Sequence, residues 1–185
     1  MRKLILFNMA TIDGHFAGPS GELDWHTVDR AFMDFSIEQL NEIDILVFGR
    51  KTYELMADYW TKSESMKNDP IVAGHMNRKP KLVASRKLKL VEWSNSSLIK
   101  GDIVEKMREI KKEHGKDMII LGSAEMASTL INSGLIDEFR LMISPVILGN
   151  GRPQFQNISD RIKLKLLRCH AFESGNVLLA YGKTE

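Results

Sequence analysis

Four short segments of this chain carry residue types suited to holding an anion: Asn8-Met-Ala-Thr-Ile-Asp13-Gly14, Gly49-Arg50-Lys51-Thr52, Ser85-Arg86 and Gly122-Ser123-Ala124. The first begins within, and the other three directly follow, a short run, at 4–10, 45–48, 81–84 and 118–121, that reads as a β-strand. In open α/β sheets ligands collect just beyond the carboxyl ends of the strands, so four such turns together suggest a cleft. Gly122-Ser123-Ala124 leads straight into a helical pattern, and its small residues would let a phosphate reach bare backbone N–H groups at the positive helix end. Gly49-Arg50-Lys51-Thr52 offers a second helix start with two cations and a hydroxyl. Arg50 and Arg86 present planar donor forks suited to phosphate, and Ser85 adds a hydroxyl. Two helix N-termini with arginines on separate turns would suit a ligand with phosphates in two places, such as a dinucleotide bearing an extra 2′-phosphate. Taken singly, each segment is more often structural. Gly122-Ser123 also reads as a tight turn with an N-cap, and Arg50 as a surface charge.

Other chemistries find less support. The chain has no Gly-x-x-x-x-Gly-Lys-Ser/Thr, no Gly-x-Gly-x-x-Gly after a strand and no Gly-x-Ser-x-Gly elbow. Gly149-Asn-Gly151 is followed by Arg-Pro rather than a helix. His15, His26, His75, His114 and His170 show no metal-ligand spacing, so no metal is expected. Asp13 and Asp24 could form an acid/base pair, yet Asp-Gly at 13–14 is equally plain turn chemistry.

The elements that must position these turns alternate from end to end, short apolar runs with amphipathic stretches, which is an α/β signature. Further strands are expected at 97–99, 139–147, 163–171 and 177–181. The last two flank Glu173-Ser-Gly-Asn176, a hairpin-like turn. Helices are expected over 29–43, 52–59, from Asp102 onward, where Asp102-Ile-Val-Glu105 forms a capping box, and from near Ser123 to a terminating Gly134. The result is a mixed, mainly parallel sheet ending in an antiparallel hairpin, with helices on both faces. No linker or internal repeat divides the 185 residues, so one domain over 1–185 is expected.

Composition narrows the function class. Lys and Arg number 26 against 24 Asp and Glu, a net charge of +2, which gives no concentrated basic face for nucleic acid. Basic residues do gather between 78 and 89, a run that reads as solvated surface apart from Arg86. The longest apolar run is five residues, far short of a bilayer span, and 4–7 is too short for a signal-peptide core. A lone Cys169 fits a reducing compartment. A soluble cytoplasmic protein acting on a small molecule, with no membrane or nucleic-acid partner, is the expectation.

The segments Asn-Met-Ala-Thr-Ile-Asp-Gly (8–14), Gly-Glu-Leu-Asp-Trp (21–25), Gly-Arg-Lys-Thr-Tyr-Glu (49–54), Leu-Gly-Ser-Ala (121–124) and Ile-Asp-Glu-Phe-Arg-Leu-Met-Ile-Ser-Pro-Val-Ile-Leu-Gly-Asn-Gly (136–151) resemble the dihydrofolate-reductase-like superfamily. Within it they are most similar to the branch of the riboflavin-biosynthesis reductase domain. The resemblance runs in order through nearly the whole chain and implies a three-layer α/β/α fold, often dimeric, that binds NADPH and passes hydride to a heterocycle. Position by position, it implies that Gly49, Arg50, Lys51 and Thr52 hold cofactor phosphates and that Ser85 and Arg86 clamp the 2′-phosphate. Gly122, Ser123, Ala124 and Glu125 look like the pyrophosphate turn, and Phe16 and Ala17 fall where the first loop closes over the nicotinamide.

The substrate pattern departs from that of both named enzymes. Met56 and Ile120 stand where the riboflavin-pathway reductases carry acidic residues, and the helix pattern after Phe32 holds no arginine for a ribose phosphate. Dihydrofolate reductases place a pterin-binding carboxylate on the helix before the Gly-Arg turn, where Asp34 lies; the same pattern also suits a solvent-facing residue. Asp13 is the other candidate catalytic contact, and Trp25, Trp60 and Phe16 are candidate apolar walls. A nucleotide-binding protein without turnover is the alternative reading.

Overall fold

The computed structural model describes residues 1–184. In chain order its elements are β1 (Leu4–Thr11), β2 (His15–Ala17), α1 (Arg30–Glu42), β3 (Ile43–Gly49), α2 (Arg50–Trp60), α3 (Ser63–Asn68), α4 (Pro70–Arg78) and β4 (Lys81–Ala84). There follow β5 (Ser96–Ile99), α5 (Ile103–Lys112), β6 (Asp117–Leu121), α6 (Ala124–Asn132), β7 (Glu138–Ser144), β8 (Arg152–Pro153), β9 (Leu164–Ala171) and β10 (Val177–Lys183). Eight strands make one sheet in the order β5-β4-β3-β6-β1-β7-β10-β9. The first six run parallel, and β10 and β9 close the sheet as an antiparallel pair.

The alternation of β1 explains the layers. Ile5, Phe7 and Met9 point to one face and pack with Phe35 of α1, Tyr53 of α2 and Val72 of α4. Leu4 and Leu6 point to the other, against Met107 of α5 and Leu130 of α6. Both clusters exclude water from the same central strands, which is the α/β/α sandwich the sequence implies. Asp29 caps α1 by accepting from the Phe32 amide at 2.8 Å, and Asp102 caps α5 through the Val104 amide at 2.8 Å. Gly134, at φ +71°, ends α6 as its pattern predicts, and the Leu135 amide returns to the Leu130 carbonyl.

Three features differ from the sequence expectation. The strand expected over 139–147 stops at Ser144, because Pro145 has no N–H to continue the ladder. Residues 63–78 form two helices; Pro70 begins the second at its first turn, where a missing donor costs nothing. The short β2 and β8 pair with each other in a separate two-stranded ribbon beside the end of β1. No helix among the described residues is long and apolar enough to cross a membrane.

Candidate functional site

The turns after β3 and β6 meet at the centre of the sheet's carboxyl edge. The Gly49 amide donates to Ser123 Oγ at 2.7 Å, and the Ser123 hydroxyl donates to Thr52 Oγ1 at 3.0 Å. Gly49 and Ser123 are the N-cap residues of α2 and α6, and neither supplies a side-chain cap to its own helix. The Ser123 hydroxyl is spent joining the two turns, so the first amides of both helices remain open to an anion. Gly122 and Ser123 are both left-handed, at φ +67° and +61°. A Cβ on Gly122 would lie 3.2 Å from Thr52 Cγ2, and one on Gly49 would lie 3.2 Å from Ser123 Oγ. Only glycine keeps this cradle open, so the residues present fit a bound phosphate.

The cations expected beside it lie on the turns after β3 and β4. Arg50 Nη1 reaches Glu54 at 2.8 Å, one turn along α2, and Lys51 is exposed. Ser85 Oγ accepts from the Lys87 and Leu88 amides at 3.1 and 3.0 Å, which folds the turn after β4 and leaves its neighbour Arg86 exposed. Arg86 has no ion-pair partner among the described residues. Ala124 is buried and Glu125 exposed in the first turn of α6.

At the end of β1, Asn8 Nδ2 donates to Gln154 Oε1 at 2.8 Å, and both side chains are buried. Asn8 Oδ1 would lie 3.9 Å from a Cβ on Gly122, so this amide pair borders the cradle. No sequence signal marks Gln154, whose partner is 146 residues away. Phe16 is half-buried and Ala17 buried on β2, which places the first loop beside the same end of β1.

Asp13 is committed to the loop rather than free for proton transfer. It accepts from Thr11 Oγ1 at 2.6 Å, from the Gly149 amide at 2.8 Å and from the Leu148 amide at 3.2 Å, with His15 Nδ1 at 3.3 Å. These donors, Thr11 foremost, hold its carboxyl well below the usual carboxylate range, so it is an anionic clamp and a poor acid. Asp34 is exposed and takes Arg30 Nε at 3.0 Å. It lies one turn before Glu38, which reaches Arg168 on β9, so its flank of α1 faces the outer edge of the sheet. Trp25 sits at the margin of the core with its ring edge-on to His26 at 4.4 Å. Trp60 closes α2 at the end opposite Gly49, about 15 Å from the cradle at 1.5 Å per residue, and there its carbonyl takes Asn77. Ile120 is fully buried and Met56 packs on the core, so neither site has room for an unpaired carboxylate.

The model of the RibD C-terminal domain matches residues 2–178. The chain belongs to the RibD C-terminal domain family. Among relatives, the uncharacterised protein YyaP of Bacillus subtilis (strain 168) is 37% identical over 182 residues, covering 97% of this chain and 94% of YyaP. Two solved structures share the fold. A Shewanella sp. PV-4 protein, named provisionally as a riboflavin biosynthesis protein, superposes with a TM-score of 0.77 at 21% identity and 99% coverage of both chains. The dihydrofolate reductase of Enterococcus faecalis, solved with NADP(H), gives 0.65 at 16% identity, covering 99% of this chain and 97% of the other. The family thus accounts for the parallel sheet and for the turns at its carboxyl edge.

Proposed function

We propose that this member of the RibD C-terminal domain family is an NADPH-dependent reductase of a small heterocycle of the pterin, flavin or pyrimidine class. The observation that carries the reading is the joining of two helix N-termini, both without side-chain caps, through the Ser123 hydroxyl at a pair of glycines. Gly122, Ser123 and Ala124 would hold the pyrophosphate, with Gly49, Lys51 and Thr52 beside it. Arg86 and Ser85, with Arg50, would hold the 2′-phosphate and set the preference for NADPH over NADH. NADPH, when bound, supplies the hydride. The protein orients the two partners and keeps water from them, with Phe16, Ala17 and Trp25 as apolar cover. Asp13 and Asp34 are both engaged elsewhere, so the proton comes from water or from the substrate rather than from either carboxyl.

That same observation favours the second reading, a nucleotide-binding protein without turnover, and one experiment separates the two. The protein is titrated with NADPH and NADH, following nicotinamide fluorescence and the melting temperature, and NADPH oxidation is then followed with pterins, flavins and pyrimidines as acceptors. Preferential NADPH binding with oxidation by one acceptor class is the expected result. Binding without oxidation leaves the second reading, and failure to bind either nucleotide overturns both. Arg86→Ala should weaken NADPH at least about tenfold and leave NADH nearly unchanged, since a charge-assisted contact contributes roughly 1.5–3 kcal/mol; equal losses would remove Arg86 from the clamp.

A further inference from the structure

Three buried polar atoms near the start of α1 have no partner within the chain: Trp25 Nε1, His26 Nε2 and Asn176 Oδ1. Buried polar groups are almost always paired, so three orphans in one place call for a partner from outside. Trp25 and His26 are adjacent, with ring centres 4.4 Å apart. Asn176 is 1% exposed, and its Nδ2 donates at 2.9 Å to the carbonyl of Thr27, the residue after His26. That bond orients the amide, so the atom left over is its oxygen, an acceptor.

The patch stands where the acceptor of a hydride would. Val177 pairs with Ile143 near the end of β7, so Asn176 lies at the same carboxyl edge of the sheet as the glycine turns. Alternation from Leu178, which packs with Met9 and Met142, puts Asn176 on the α1 face, and Trp25 packs on that same core cluster. The strands β1 and β7 separate the turn after β6 from the start of β10. At about 4.8 Å per strand that is roughly 14 Å, which leaves room over β1 for a nicotinamide and its ribose between the cradle and the patch. Residues 18–29 form neither strand nor helix, so the Trp25 and His26 rings sit on a segment that can shift to admit a planar ring.

The orphaned atoms specify their partner. The indole N–H can only donate and the free amide oxygen can only accept, so a ring N–H beside a ring C=O answers both. Burial pushes the His26 pKa down to about 4, which keeps its ring neutral. A neutral imidazole nitrogen accepts from an amino group or donates to an oxo group according to its tautomer. Asp29, two residues beyond Thr27, is spent on the Phe32 amide at 2.8 Å. None of these groups offers a free charge, which suits an uncharged ring. We propose that Trp25, His26 and Asn176 form the acceptor subsite and read the lactam edge of an uncharged heterocycle, Asn176 taking its N–H and Trp25 giving to its C=O. The assignment rests on the reductase reading above and narrows its substrate to a ring with an unsubstituted lactam.

The probe is lumazine, a dioxopteridine with two ring N–H groups, and the comparison is its di-N-methyl derivative, which has none. Equilibrium dialysis of the full chain, without nucleotide and again with saturating NADPH, measures both affinities. Lumazine should bind at least about tenfold more tightly, because methylation leaves the buried Asn176 oxygen unmatched. Trp25→Phe keeps an aromatic ring at the core margin and should lose about tenfold in lumazine affinity with an unchanged far-UV spectrum. Asn176→Ala should bind the two compounds alike. Equal affinities in the wild type, a preference that survives Asn176→Ala, or Trp25→Phe at wild-type affinity would overturn the assignment. Failure to bind lumazine while NADPH binds would overturn it too, since water alone then satisfies the three atoms, and would leave the reductase reading standing. Lumazine binding with the expected preference and no NADPH binding would support the lactam site and remove the reductase reading instead.

Discussion

A carboxylate surrounded by donors serves geometry before it serves chemistry. Asp13 gathers the Thr11 hydroxyl and the Leu148 and Gly149 amides, and so ties the end of β1 to the loop after β7. Asp13→Asn should therefore loosen that loop, seen as faster hydrogen exchange at Leu148 and Gly149, while any reductase turnover keeps its pH profile. A catalytic acid would lose the profile instead. His26 shows the opposite environment. It is largely buried against Trp25, its Nε2 has no partner, and burial lowers its pKa from 6.5 to about 4. A group whose folded pKa lies below its unfolded one is neutral in the fold, so the unfolded chain takes up the extra proton between these values. The stability it confers is complete above pH 6.5 and is lost as the pH falls toward 4, by about 2 kcal/mol after allowance for partial exposure. Melting temperatures between pH 4 and 7 should show this slope for the wild type and a flatter one for His26→Phe.

At the scale of elements, charge placement decides which contacts matter. Arg140 on β7 is largely buried between Glu138 at 2.6 Å and Glu42 of α1 at 3.2 Å, so it joins helix to sheet. Arg140→Ala leaves the buried Glu138 with only the longer pair to the exposed Lys3, at 3.6 Å, and should cost about 3 kcal/mol in a denaturant titration. Lys62→Ala, which breaks an exposed pair with Asp58 on α2, should cost under ~0.5 kcal/mol. Gly122→Ala belongs to the same scale, because it disturbs the docking of two turns. Alanine in a left-handed conformation costs roughly 1–2 kcal/mol, and its methyl group would press on Thr52. NADPH affinity should fall further than stability does, and equal falls would make the turn merely structural.

These elements also show what a sequence can reveal. The strands before Gly49 and Gly122 are legible as apolar runs ending in turn residues, and their meeting follows from the habit of α/β sheets, although Gly49 and Ser123 lie 74 residues apart. The two helices over 63–78 are not legible, because Pro70 reads as a breaker until it is seen in a first turn. Asp34 has the right spacing for a substrate carboxylate, yet spacing along a helix does not say which flank the residue takes. The neighbouring Glu38, reaching Arg168, decides that only once the sheet is present.

For the whole molecule, the sheet divides its duties between its centre and its edges: the central parallel strands end in the glycine turns, and the edge strands β5 and β9 lie farthest from them. A ligand held by those turns binds the native chain and not the unfolded one, so its effect must show in the stability of the whole fold. NADPH at a hundred times its dissociation constant should stabilise the chain by about 2.7 kcal/mol. For a chain of this length that raises the melting temperature by roughly 5–10 °C, which scanning calorimetry resolves. A melting temperature that NADPH leaves unmoved would mean that the glycine turns hold no nucleotide, because no native-state ligand can bind tightly without raising it.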